Sequence, residues 1–171
     1  MTYSRRVFCT AVACFFLIAT SSVKGEPVSD SSLQEQVRDK AVLAVAQLQD
    51  RAGGRLDYSV KSLEVVDEML AEAALYTDQM VPANVKAIIE LVGSYVLEVA
   101  YRQHQGDFAW DGRHNQPVLV VGEPKFHVAL MTFEKVRGRL SGDESDNIVF
   151  LYQGFASRIK AAVPGTRALY T

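Results

Sequence analysis

Tyr95 and Glu98 stand three residues apart within an apolar stretch, Val92-Gly93-Ser94-Tyr95-Val96-Leu97-Glu98-Val99. On a helix that spacing puts both side chains on one face. A half-buried carboxyl in such surroundings has a raised pKa and can serve as a general acid or base. The same residues equally suit a structural carboxylate that accepts from Tyr95, Trp110 or a loop N–H. Catalysis also needs a second group, and the sequence displays none in register with Glu98. A metal has one cluster to choose from: His104, Asp107, Asp111 and His114, in which imidazole with carboxylate would suit zinc. That set asks a helix end and a loop to converge, so His104 and His114 stand as candidates while no cofactor is expected. His127, the third histidine, reads as a strand residue that faces solvent or has a hydrogen-bond partner.

Binding chemistry has better material. Asp57-Tyr58-Ser59 precedes a helix start, where free backbone N–H groups favour negative charge and hydrogen-bonding side chains. It could form the lip of a site, or simply cap the helix beside a packed tyrosine. Tyr58, Tyr76, Tyr95, Phe108 and Trp110 fall in or near loops and helix ends. Aromatics beside carboxylates suit a protein–protein hot spot or a groove for a sugar or peptide, although small domains also bury aromatics for stability. Asp57, Tyr58, Tyr95 and Trp110 are the candidate binding residues.

Familiar catalytic signatures are missing. Ser145-Asp146-Asn147 and Ser157-Arg158-Ile159-Lys160 spell penicillin-binding elements in the wrong order, since the nucleophile motif must come first. Asp143-x-Ser145-x-Asn147 starts like a calcium loop, but Ile148 stands where glycine is required. There is no Gly-x-Ser-x-Gly elbow, phosphate-binding glycine loop or His-Glu-x-x-His motif.

The elements that must hold these residues follow from periodicity and punctuation. Ser31 or Ser32 caps a first helix, with Glu35 completing a capping box after Ser32. Leu33, Val37, Ala41, Ala44 and Leu48 mark its apolar face to about Arg51, and Gly53-Gly54 ends it. This helix reads as loosely attached. A second helix is capped by Ser59 or Ser62 and carries the stripe Leu63, Val66, Met69, Leu70 and Ala73, with Lys61, Glu64, Asp67, Glu68 and Glu72 opposite. Pro82 opens a third, where Val85, Ile88, Ile89, Val92, Val96 and Val99 recur and Gly93 admits a close neighbour. Phe108-Ala109-Trp110, Val118 to Val121 and Phe126 to Met131 read as strands, with turns at Asp111-Gly112 and Gly122 to Pro124. A short helix over Thr132 to Leu140 and a last one capped by Ser145 or Asp146 follow, and Pro164-Gly165 stops the latter. The expected class is α+β, with helices on a small antiparallel sheet of about three strands. The expected organisation is a signal peptide at 1–25, a lead-in and helix at 26–55, the α+β domain at 56–164 and a tail at 165–171.

From Leu56 onward, about two thirds of the chain resembles an uncharacterised bacterial family of small α+β domains, a domain of unknown function. The residues that carry the resemblance are Leu56-Asp57-Tyr58-Ser59-x-x-Ser62-Leu63-x-x-x-Asp67 and Gly93-x-Tyr95-x-x-Glu98. Gly106 to Trp110, Arg139-Leu140-Ser141-Gly142 and the acidic stretch Asp143 to Asp146 complete it. The resemblance implies an architecture and no activity. Glu123 to Met131 departs from the pattern, which puts the strand pairing there in doubt.

Composition sets the compartment and excludes several mechanisms. Arg5 and Arg6, the apolar run Val7 to Ala19 and the small-residue exit Thr20 to Gly25 read as a secretory signal peptide cleaved after Gly25. Ser4-Arg5-Arg6-Val7-Phe8 resembles a twin-arginine export motif, though an ordinary Sec leader also carries such a basic start. Ala11-Val12-Ala13-Cys14 is a poor lipoprotein box, because Phe15 to Ile18 continue the apolar run. Cleavage would remove both cysteines, Cys9 and Cys14, and so exclude disulfides, thiol catalysis and thiolate metal sites. It would also take Arg5, Arg6 and Lys24 from the 18 basic residues, leaving 15 against 20 acidic ones, about −5. That balance argues against nucleic acid and gives no polybasic attraction to a membrane surface. The leading expectation is a periplasmic or secreted, non-enzymatic module binding another exported protein, such as an inhibitor or immunity-type protein. The alternatives are a small envelope enzyme acting on peptidoglycan or a glycan, and a small-molecule carrier or sensor lined by the second and third helices.

Overall fold

The computed structural model describes residues 32–171; the expected leader, its cleavage site and the start of the polar lead-in lie outside the described residues. The order is α1 (Leu33–Leu48), α2 (Ser62–Ala74), α3 (Pro82–His104), β1 (Asp107–Asp111), β2 (Gln116–Val121), β3 (His127–Leu130), α4 (Phe133–Leu140), α5 (Ile148–Lys160) and β4 (Arg167–Tyr170). Five helices pack with one four-stranded sheet, an α+β domain. Among the described residues no helix is long and apolar enough to cross a membrane.

The strands lie in the order β1-β2-β3-β4. β1–β2 and β2–β3 are antiparallel, with Phe108 opposite Leu119 and Val120 opposite Ala129. β4 is the departure from the expected three-stranded antiparallel sheet. It runs parallel to β3, pairing Val128 with Ala168 and Leu130 with Tyr170, so the segment expected as a tail completes the sheet. The connection through α4 and α5 supplies the crossover that a parallel pair requires.

α1 has the anticipated capping box: Ser32 Oγ accepts from the Glu35 N–H, and the Glu35 carboxylate accepts from the Ser32 N–H. The expectation of loose attachment is corrected by its burial. Val37, Ala41 and Ala44 are almost wholly buried and belong to the same core as α2 and α3. Small residues at i, i+4 and i+7 let the α1 backbone approach α3 closely, so the helix placed in the 26–55 segment is part of the domain. Gly53 and Gly54, both at positive φ, turn the chain out of α1 towards α2.

α3 is the central element. It begins at Pro82 and buries Ile89, Val92 and every residue from Gly93 to Ala100. Gly93 does admit a close neighbour: a Cβ there would lie 2.4 Å from Phe133 Cδ1, and the Gly93 carbonyl accepts from Thr132 Oγ1 at 2.9 Å. The start of α4 is thereby seated on the middle of α3. α5 is capped by Asn147, whose side chain accepts from the Phe150 N–H, and not by Ser145 or Asp146, which sit in a short 3-10 turn before it.

Candidate functional site

The C-terminal half of α3 and the segment before α2 build one constellation from three of the residues singled out by sequence, Tyr58, Tyr95 and Glu98, and one that was not, Arg102. Tyr58 stacks on Tyr95 with ring centroids 5.1 Å apart. The Arg102 guanidinium lies over the Tyr58 ring, 3.7 Å from its centroid. Arg102 Nε donates to Glu98 Oε1 at 2.7 Å. The layers therefore run Glu98, Arg102, Tyr58, Tyr95, from a buried carboxylate through a half-exposed cation to a buried phenol. Such a cation–aromatic contact contributes about 0.5–2 kcal/mol, depending on how dry it is.

A hydrogen-bonded chain fixes the layers. The Tyr58 N–H donates to Tyr95 Oη at 3.0 Å, and Ser62 Oγ donates to the Ser59 carbonyl at 2.6 Å. The remaining contact, Ser62 Oγ to Tyr95 Oη at 2.7 Å, is then donated by the tyrosine. Ser59 Oγ in turn accepts from the Ser62 N–H in the turn before α2, but the helix itself starts with Lys61 at its N-cap and no side-chain cap, so neither Ser59 nor Ser62 caps it as the sequence suggests. Tyr58 adopts φ 62°, an uncommon conformation for a bulky residue, which the bond to Tyr95 and the ring stacking hold in place. Burial pushes the Tyr58 phenol above its ordinary pKa, while the Arg102 charge pulls it back. The buried Tyr95 phenol is likewise raised, opposed by its hydrogen bond with Ser62. Asp57 is exposed, and hydrogen bonds from Ser59 hold its carboxyl below the usual range.

Glu98 is therefore a structural partner of Arg102 and accepts from neither Tyr95 nor Trp110, the two side chains considered from sequence. Arg102 was missed there because a basic residue in the last turn of a helix reads as ordinary dipole compensation. Its i,i+4 spacing from Glu98 was the available signal. Trp110 lies apart on β1, 54% exposed and opposite Pro117 of β2.

The residues considered for a metal go to separate partners. His104 packs edge-on against Phe155, and its Nε2 meets Tyr152 Oη at 3.3 Å. His114 pairs through Nδ1 with Asp111 in the β1–β2 turn, and this bond lowers the Asp111 pKa. His127 Nδ1 meets Glu123 Oε1 at 2.6 Å. Among the described residues no three His, Cys, Asp or Glu side chains converge as a metal would need.

His104 carries a prediction of its own. Burial lowers its pKa below the ordinary 6.5, so the folded state favours the neutral ring. The unfolded chain then binds more protons below that value, and stability must fall as pH drops from about 6.5 towards the folded-state pKa. Urea midpoints measured from pH 8 to pH 5 should decline over this window in the wild type and decline less in His104→Phe. Parallel profiles for the two proteins would show that His104 is not the group responsible.

Asp67, which its spacing puts on the face of α2 opposite the apolar stripe, is buried there and forms a second polar centre. Asp67 Oδ1 accepts from Arg139 Nε at 3.2 Å and the Ile148 N–H at 2.9 Å. Oδ2 accepts from Arg139 Nη2 and Asn147 Nδ2, both at 2.9 Å. One carboxylate thus ties α2 to α4 and to the start of α5. Of the motif residues, Tyr58, Ser59, Ser62, Tyr95 and Glu98 meet at the layered stack, and Asp67 and Arg139 meet at this buried junction. The chain matches no family model, and neither a curated protein nor a solved structure is significantly similar to it.

Proposed function

We propose that this protein is an exported, non-enzymatic module that binds another periplasmic or secreted protein through the Arg102–Tyr58 face. The observation that carries the reading is the stack itself, in which the Glu98 carboxylate, the Arg102 guanidinium and the Tyr95 and Ser62 hydroxyls are engaged in holding an aromatic–guanidinium surface in place. Tyrosine and arginine over a preorganised support are the residues on which interface energy concentrates. An active site needs a group left free to move a proton, whereas Glu98 is bonded to Arg102. The basic, apolar and small-residue order of residues 1–25 supports export, by either the Sec or the twin-arginine route. A small, mildly acidic mature chain without cysteine suits an inhibitor or immunity-type protein that acts outside the cytoplasm.

The test is affinity capture from envelope extract of the source bacterium, comparing wild type with Tyr58→Gly. Glycine accepts φ 62° without strain, so the variant removes the ring and leaves the backbone comfortable. A partner held by the wild type and released by the variant is the expected result. Absence of any partner, together with an activity abolished by Glu98→Gln, would favour the envelope enzyme. The carrier or sensor reading has one observation in its favour, an apolar cavity walled by α1, α2 and α3.

A further inference from the structure

The cavity has a volume of about 120 Å³ and opens to solvent. Leu48 of α1, Met69 and Ala73 of α2, Met80 of the connection, and Ile88 and Val92 of α3 contribute its walls. Tyr95 closes one side, with its hydroxyl already bonded to Ser62 and the Tyr58 N–H, so it presents ring and not a free polar group. Arg51 is the one charged residue in the lining.

Size and lining limit the occupant. An apolar cavity of about 150 Å³ stays dry and binds benzene, the known behaviour of an engineered site in another protein. The present cavity therefore accommodates an apolar group of roughly five or six carbons. Two methionines in the wall give it flexible, polarizable contacts that adapt to an irregular guest.

Charge selects the other end. Arg51 Nη2 lies 3.1 Å from Glu72 Oε1, and both side chains are more than half exposed. An exposed pair of this kind contributes little. The guanidinium fork has five donors and takes carboxylates two bonds at a time. A guest carboxylate can thus join or displace Glu72 while its apolar part enters the cavity.

We infer that this cavity is a binding site for a short-chain organic acid or an equivalent monoanionic ligand, its five- or six-carbon apolar part between α1, α2 and α3 and its carboxylate on Arg51. This rests on the carrier or sensor reading and adds the ligand class to it; the site stands whether or not the Tyr58 face binds a protein. The experiment titrates the folded protein with hexanoate and, separately, with 1-hexanol, following the methyl resonances of Ile88, Val92 and Leu48 by NMR. Both probes should shift these resonances saturably, hexanoate more tightly. Arg51→Gln should weaken hexanoate about tenfold, the loss expected for a charged hydrogen bond, and leave hexanol nearly unchanged. Ala73→Leu, or Ala73→Met should the leucine distort the fold, fills the cavity and should abolish binding of both probes while leaving thermal stability equal or higher. If neither probe shifts the lining methyls, the cavity is a packing void and the carrier reading falls with it. If both bind equally and Arg51→Gln changes neither, the cavity binds small molecules but the anionic ligand class is overturned.

Discussion

Replacing Asp67 with alanine should destabilise the domain by about 3–5 kcal/mol, the usual result of removing one partner from a buried ion pair. The side chains of Asp67 and Arg139 are only 10% and 13% exposed, so the guanidinium left behind stays largely dry without its carboxylate. The Ile148 N–H and Asn147 Nδ2 lose their acceptor in the same step, at the start of α5. Against a total stability of about 5–15 kcal/mol, such a loss brings the domain close to unfolding at growth temperature. Thermal and urea unfolding of Asp67→Ala should show a melting temperature lower by about 10 °C or more. Asp67→Asn, which keeps one oxygen acceptor for the Ile148 N–H, should fall between the two. A loss below 1 kcal/mol for the alanine variant would mean that α4 and α5 are held by apolar packing alone.

Tyr95→Ala should have an effect of similar size, about 3–5 kcal/mol, because the ring is 1% exposed and belongs to the central core. Tyr95→Phe separates the hydroxyl from the ring. It leaves the packing intact but removes the acceptor of the Tyr58 N–H and the donor to Ser62 Oγ, at a cost of about 1–3 kcal/mol. Equilibrium unfolding of the three proteins should rank them wild type, Tyr95→Phe, Tyr95→Ala. If Tyr95→Phe unfolds together with wild type, the hydroxyl does not hold Tyr58 in its left-handed conformation. The support assigned to the stack would then be lost.

Much of the fold was legible because its signals are local. The Ser32–Glu35 capping box, Pro82 at the start of α3, the valine-rich β2 and the close approach at Gly93 are each written within a few residues. What was not legible depends on distant partners. Arg167 to Tyr170 is four residues long and pairs with β3 only after the chain has passed through α4 and α5. Asp67 reads as surface charge because nothing near it announces Arg139, 72 residues away. Asn147 caps α5 while its side-chain amide also reaches Asp67, a bond between residues 80 apart that no spacing rule contains.

The candidate site was half legible for the same reason. Tyr58, Tyr95 and Glu98 were singled out by type and position, and the structure brings all three together with Arg102. Trp110, His104 and His114 were singled out by type alone, and the structure sends each to different surroundings.

The binding proposal is tested by the dissociation constant between the protein and a partner captured from envelope extract, determined for wild type, Tyr58→Gly and Lys86→Ala. Lys86 is an exposed residue on the first turns of α3, away from the stack. Loss of a true hot-spot ring costs at least about 2 kcal/mol, or about 30-fold in affinity. Tyr58→Gly should show that loss, and Lys86→Ala should keep wild-type affinity. Equal affinity for all three proteins would contradict the proposal and place the binding surface elsewhere on the molecule.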